Sequence, residues 1–171
     1  MRNLTVLVTV LVFSGIGMAQ DTQADSLIRI GITEFMVALQ TGDGDSAASM
    51  FSSEAIDQVE VMLNTIKQSL DRDPEGTLRR LNNAGYDIDN EAAEDWEVEV
   101  YLAQTLSLPM ISARYVLYEL EIDSVVVDDH SATVQMIFRT AAGVEIPQQA
   151  VMSMEDSIWK VTNFMGITAF P

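Results

Sequence analysis

Cysteine is missing from all 171 residues of this sequence. Disulfides, thiol nucleophiles, zinc sites built on thiolates and lipid attachment at a cysteine are therefore excluded. The folded chain has to be stabilised by its hydrophobic core, and its length suits one domain with one such core.

Basic side chains are scarce, with nine Lys and Arg against 26 Asp and Glu and a formal net charge of −17. Nucleic acids and anionic lipid surfaces are poor partners for such a chain, because both are bound through clusters of positive charge. The acidity could attract cationic ligands or metal ions, but a solvated acidic surface is the simpler interpretation and is favoured.

Histidine occurs once, at His130 beside Asp128 and Asp129 in an expected surface turn. Since no Ser or Thr has another base, no hydrolytic triad and no catalytic residue is predicted. The segments 43–45 and 87–91 offer carboxylates to calcium, yet turn and helix-cap roles explain both. We therefore predict no metal and no cofactor.

The first 19 residues have the pattern of a cleavable signal peptide. Arg2 precedes an apolar run at 4–13, and Gly17 and Ala19 suit cleavage before Gln20. A membrane anchor is the alternative, but the run is shorter than the roughly 20 residues that a span needs. We expect export to a periplasm or the medium, a flexible polar leader at 20–25, one domain at 26–171, and no membrane contact after cleavage.

Apolar spacing predicts helices through the first two thirds of the domain. An amphipathic helix is expected at 26–41, a short one at 45–51, a longer one from Ser52, and another from Asp73-Pro74 to Gly85. Residues 89–107 fit both a helix and a strand, and their cap residues favour the helix.

After Pro109 the apolar period changes to two, which predicts strands. The first strand begins near Val116. A turn at 128–131 leads to the second strand, a turn at 141–143 leads to the third, and the fourth ends near Phe164. The third strand contains Pro147, which suits a strand start or an edge. Helices followed by an antiparallel meander of about four strands form an α+β fold.

Two passages carry a family resemblance. Residues 35–51 contain Phe-Met-Val-Ala-Leu-Gln-Thr-Gly-Asp and then Ala-Ala-Ser-Met-Phe, and residues 151–161 end in Glu-Asp-Ser-Ile-Trp-Lys-Val. In these the chain resembles the nuclear transport factor 2-like superfamily, a cone of helices on a curved antiparallel sheet, and in particular its uncharacterised exported members. The insert at 73–107 departs from the compact enzymes of that superfamily.

The resemblance implies a pocket inside the cone, lined by alternate strand residues. Ten side chains are expected to face it: Val116, Tyr118, Leu120, Ile122, Val134, Met136, Phe138, Met152, Trp159 and Val161. Five of these are the candidate ligand contacts: Tyr118, Met136, Phe138, Met152 and Trp159. None is an acid or a histidine, while Glu119, Glu121 and Asp123 have the opposite parity. A strand bulge would reverse that parity.

Three functions are left open. The leading hypothesis is a non-catalytic exported domain that binds a small apolar molecule or a protein partner. An isomerase-like or dehydratase-like enzyme that uses the same pocket is the second. The third is a structural homodimer formed through the outer sheet face, with Leu117, Glu121, Val125 and Ile137 in the contact.

Overall fold

The structure is a computed structural model that describes residues 15–164. The predicted signal peptide lies mainly outside these residues, so its cleavage stays a prediction. Among the described residues, no helix is both long enough and apolar enough to cross a membrane.

Seven helices precede four strands in the described chain, which confirms the predicted α+β class. The helices are α1 Gly15–Thr41, α2 Gly44–Ser49, α3 Ser53–Arg72, α4 Pro74–Ala84, α5 Asn90–Glu94, α6 Val98–Leu106 and α7 Pro109–Tyr115. The strands are β1 Tyr118–Asp128, β2 Ser131–Thr140, β3 Glu145–Glu155 and β4 Ile158–Phe164.

The expected flexible leader at 20–25 is helical in the structure, because α1 already begins at Gly15. An ion pair between Arg29 Nε and Asp25 Oδ2 at 2.9 Å joins this turn to the next one. Arg29 also donates to the carbonyl of Ile122 on the sheet at 2.9 Å. Residues 22–25 therefore lie in a helical turn whose side chains are exposed or half-buried.

Helix ends follow the predicted cap residues. Asp43 caps α2, Ser52 caps α3 and Asp73 caps α4, each accepting a bond from a backbone N–H three residues on. Gly85 ends α4 at a φ of 105°, a left-handed conformation that favours glycine. These local signals are reliable because they depend on few neighbouring residues.

The ambiguous segment 89–107 is helical, but Asp95 to Glu97 divide it into α5 and α6. Pro109 then begins α7, where a strand was expected to start soon after it. The helical geometry overturns one prediction, because Tyr115 is 2% exposed whereas Val116, which was expected to face the pocket, is 62% exposed. Val116 therefore does not face the interior.

The sheet is an antiparallel meander in the order β1-β2-β3-β4, as predicted. Pro147 lies opposite Ile137 of β2. The pairing of β3 with β4 covers 150–155, so in the described chain Pro147 occupies an edge-like part of β3.

Irregular pairing alters which β1 side chains face the helices. The register shifts between Ile122 and Ser124, and Val125 consequently pairs with buried Val134. Val125 packs against the core and not on the outer face where it was expected. The outer face instead carries Arg139, paired with Glu121 at 2.9 Å and Glu145 at 2.8 Å.

The core lies between the sheet and the helices, and α1, α3, α6 and α7 all contribute buried residues to it. Phe35 of α1 meets Phe164 of β4 edge-to-face, with ring centroids 4.9 Å apart. Tyr115 of α7 packs against Phe138 at 6.5 Å. Burial raises the pKa of Tyr115 to about 12, because the charged phenolate would lose its hydration.

Candidate functional site

The five predicted ligand contacts lie in different surroundings. Met136, Phe138 and Met152 are at most 1% exposed, and Tyr118 stacks on the Phe138 ring at 5.3 Å. Five clefts on the surface of the described chain contain none of these four residues in their lining. Trp159 does line two of them, so the structure does not bring the five together at one cleft.

A groove of about 750 Å³ lies between α1, α2 and the β3–β4 turn. We call it the hairpin groove. Its wall on α1 is formed by Leu27, Ile30, Gly31, Thr33, Glu34, Val37, Ala38 and Thr41, and the rest by Asp43, Ser46, Ser49, Met50, Ser157, Ile158, Trp159 and Lys160.

Large aliphatic side chains line this groove in exposed positions. Leu27, Ile30 and Val37 of α1 are 48–51% exposed, and Ile158 across the groove is 57% exposed. The α1 residues are three and seven apart, so they form a row along one side of the helix. This row lies outside the buried stripe that begins at Ile28.

Trp159 lies where the hairpin groove meets a second depression. That depression, of about 500 Å³, is also lined by Leu27, Val127 and Met154. No hydrogen bond joins the Trp159 indole to another residue within 15–164, unlike the Trp96 indole, which donates to Gln104. The two depressions therefore meet at Trp159, whose indole N–H has no hydrogen-bond partner within 15–164.

The charged residues on the rim of the hairpin groove are two acids, Glu34 and Asp43, and one base, Lys160. Hydrogen bonds from the Ser46 hydroxyl and backbone hold the pKa of Asp43 below its usual value. The Lys160 ammonium donates to the carbonyl of Ser49, which ties β4 to α2. The Glu34 carboxylate makes no hydrogen bond or ion pair in the described chain.

A second concave surface, the α2–α6 cleft, has a volume of about 700 Å³. Its lining comes from α2, from the segment after α4 and from α6: Asp45, Ala48, Ser49, Gly85, Tyr86, Asp87, Ile88, Glu99, Val100, Ala103, Gln104, Ser107, Leu108 and Pro109. Most of this surface is apolar, and its lining within 15–164 contains no Lys, Arg or His.

The close approach of α2 and α6 depends on Gly44. A Cβ atom at this position would lie 2.0 Å from the Ala103 carbonyl oxygen and 2.2 Å from the Ser107 hydroxyl. The opposite wall is held by Asn82, whose amide accepts from Ile88 N at 3.0 Å and donates to Ile88 O at 3.1 Å. Both walls are thus fixed by short-range contacts.

Tyr86 lies at the back of the α2–α6 cleft and is 8% exposed. Its hydroxyl shares a 2.7 Å hydrogen bond with Thr105, which donates in turn to the carbonyl of Tyr101 at 2.7 Å. Burial raises the Tyr86 pKa far above its ordinary value, so the phenol is neutral. Its role is packing and hydrogen bonding.

The remaining polar candidates of the sequence lie on the surface. His130 is in the β1–β2 turn, exposed, with its Nδ1 atom 2.9 Å from Asp129. Asp43 and Asp89 both serve as helix caps. Within residues described by the structure, no three metal-ligating side chains are grouped for an ion.

Sequence reasoning missed both clefts. A signal for the hairpin groove was present, because Leu27, Ile30 and Val37 are apolar and lie outside the predicted stripe of α1. No signal could have shown the α2–α6 cleft, since it depends on how two distant helices pack.

Comparisons with known proteins add little. No protein-family model and no curated protein matches the chain. A solved structure from Campylobacter jejuni, described as a provisionally assigned NTF2-like transpeptidase, aligns with 53% of this chain and 98% of its own. The identity is 11% and the TM-score 0.33, values that carry no argument about this chain's function.

Proposed function

We propose that this protein is an exported, non-catalytic binding protein that holds an amphipathic helix of a protein partner in its hairpin groove. The observation that carries the proposal is the row of half-exposed aliphatic side chains at Leu27, Ile30 and Val37, faced by Ile158. Contiguous exposed apolar surface on a soluble protein is typical of an interaction site.

The shape of the groove favours a macromolecule over a small apolar ligand. This groove continues past Trp159 into the second depression, and the two volumes of about 750 and 500 Å³ together exceed the roughly 300–1,000 Å³ of a small-ligand site. Apolar residues spaced by three and seven on α1 match the contacts by which two helices pack side by side.

Charge favours a basic partner. Among its described lining residues the groove carries two carboxylates, Glu34 and Asp43, against one ammonium, Lys160, which is held at the Ser49 carbonyl and keeps its charge. The net charge of −17 extends this field beyond the groove. A partner helix with Lys or Arg beside its apolar face would be attracted and oriented by that field.

The interior supports binding over catalysis. Besides the aromatic side chains, the polar residues buried in the described chain are Ser52, Thr77 and Thr105, all of which carry hydroxyls. Ser52 caps α3 and Thr105 bonds Tyr86, which accounts for both of these hydroxyls. The isomerase-like alternative needs a carboxylate or imidazole in an apolar pocket, and this interior offers it no support.

Site-specific photo-crosslinking in the source cells tests the proposal. A benzophenone side chain is placed at Val37 in the groove, and at Val61 as a matched control, because Val61 is a similarly exposed valine on α3 outside the groove. We expect one heterologous adduct from position 37, none from position 61, and loss of the adduct in the Ile30→Glu background.

Three outcomes would contradict the proposal. Equal adducts from both positions would indicate non-specific capture. No adduct from position 37 would mean that the groove is unoccupied. An adduct of twice the protein's mass would show that the groove joins two copies of this chain, through a surface other than the outer sheet face expected for the homodimer.

A further inference from the structure

We propose that the α2–α6 cleft is a separate binding site for a small organic cation, an ammonium or guanidinium group on an apolar body. The cleft shares only Ser49 with the hairpin groove, so the inference does not depend on the proposed protein partner. Its volume of about 700 Å³ is within the range of small-molecule sites.

The apolar walls define where the body of the ligand lies. Ala48 comes from α2, Ile88 and Leu108 from the connecting segments, and Val100 and Ala103 from α6. Val100 is 45% exposed, so a ligand would remove apolar surface from water when it covers this side chain.

Three carboxylates determine the charge of the ligand. Asp45 of α2, Asp87 of the connecting segment and Glu99 of α6 reach the cleft from different elements. Each lacks a hydrogen bond or ion pair within the described residues. A cationic head would neutralise part of this unbalanced charge, whereas a carboxylate or phosphate ligand would be repelled.

The walls are formed before the ligand arrives. Gly44 fixes the distance between α2 and α6, and the two hydrogen bonds of Asn82 fix Ile88. Because little chain has to become ordered, a small ligand loses little of its binding free energy to reorganisation.

Isothermal titration calorimetry with three probes of one shape tests the inference. Benzylamine, benzyl alcohol and benzoate share a ring and differ in the charge of their head group. We expect the full-length protein to bind benzylamine in a one-to-one complex, and to bind the alcohol and benzoate at least about tenfold more weakly.

Variants locate the site. Glu99→Gln and Asp87→Asn should each weaken benzylamine binding by about three- to tenfold, the effect of removing one nearby opposite charge. Glu91→Gln is the control, because Glu91 is exposed on α5 outside the cleft and its substitution changes the net charge equally. The affinity of Glu91→Gln for benzylamine should stay within about twofold of the wild-type value.

Equal affinity for the amine and the alcohol would overturn the inference, and so would equal losses in Glu99→Gln and Glu91→Gln. If lysine-containing peptides bind at the cleft while benzylamine does not, the cationic group comes from a polypeptide, and the small-molecule assignment is wrong. Retained folding of each variant is checked by circular dichroism.

Discussion

Gly44→Ala provides the sharpest test of how α2 and α6 meet. The added methyl group would lie 2.0 Å from the Ala103 carbonyl oxygen, 2.2 Å from the Ser107 hydroxyl and 2.8 Å from the Ser107 backbone nitrogen. Ordinary carbon contacts are about 3.5 Å or longer, so one helix has to move by more than 1 Å.

The expected cost is about 2 kcal/mol of unfolding free energy, within the range of overpacked cores. For a domain of this size the melting temperature should fall by about 4–8 °C. Urea unfolding followed by tryptophan fluorescence and calorimetric melting measure both quantities.

Gly31→Ala is the matched control, because Gly31 lies inside α1 and its added methyl group would meet only the flexible end of Met152 at 3.4 Å. The better helix propensity of alanine should stabilise this variant by up to about 1 kcal/mol. A Gly44→Ala protein as stable as the wild type would refute the close approach of α2 and α6. A loss of unfolding free energy in Gly44→Ala together with a gain in Gly31→Ala would support that close approach.

Three further variants probe other contacts. Thr105→Val leaves the buried Tyr86 hydroxyl without its partner and should cost about 1–3 kcal/mol in urea unfolding; adding Tyr86→Phe should recover part of that loss, and a lack of recovery would contradict the pairing. Glu155→Gln weakens the acceptor of the Ser53 backbone and hydroxyl bonds, at 3.0 and 2.8 Å, and should cost about 0.5–1 kcal/mol, less at high salt. Because the folded-state pKa of Tyr115, about 12, lies above the ordinary 10, its stabilising contribution is complete below pH 10 and is lost as the pH rises toward 12. In Tyr115→Phe the urea midpoint should fall less steeply with pH over that interval than in the wild type. The same pH dependence in both proteins would contradict the burial of the phenol.

The sequence predicted those parts of the fold that depend on near neighbours. Asp43, Ser52 and Gly85 mark helix ends through bonds to their own segment, and the turns near His130 and Gly143 follow from similar local chemistry. The sheet order follows because short turns leave successive strands only an antiparallel arrangement.

Errors arose where two structures fit the same short pattern. Residues 109–115 are too few for a helical period to be distinguished from a strand, so Val116 was assigned to the wrong side. The bulge near Asp123 has no sequence signal here, and it moved Val125 to the core. Burial of Met136 and Met152 depends on how the helices cover the sheet, which alternation alone does not determine.

The affinity of the crosslinked partner for the purified protein tests the central claim most directly. Wild type, Ile30→Glu and Val61→Glu are compared at low and at high salt by calorimetry. We predict that Ile30→Glu weakens binding at least about tenfold, since a buried carboxylate in an apolar contact is costly. Val61→Glu should bind as the wild type does, and added salt should weaken binding to a basic partner. Equal losses in the two variants, or none in Ile30→Glu, would contradict the assignment of the hairpin groove as the binding site.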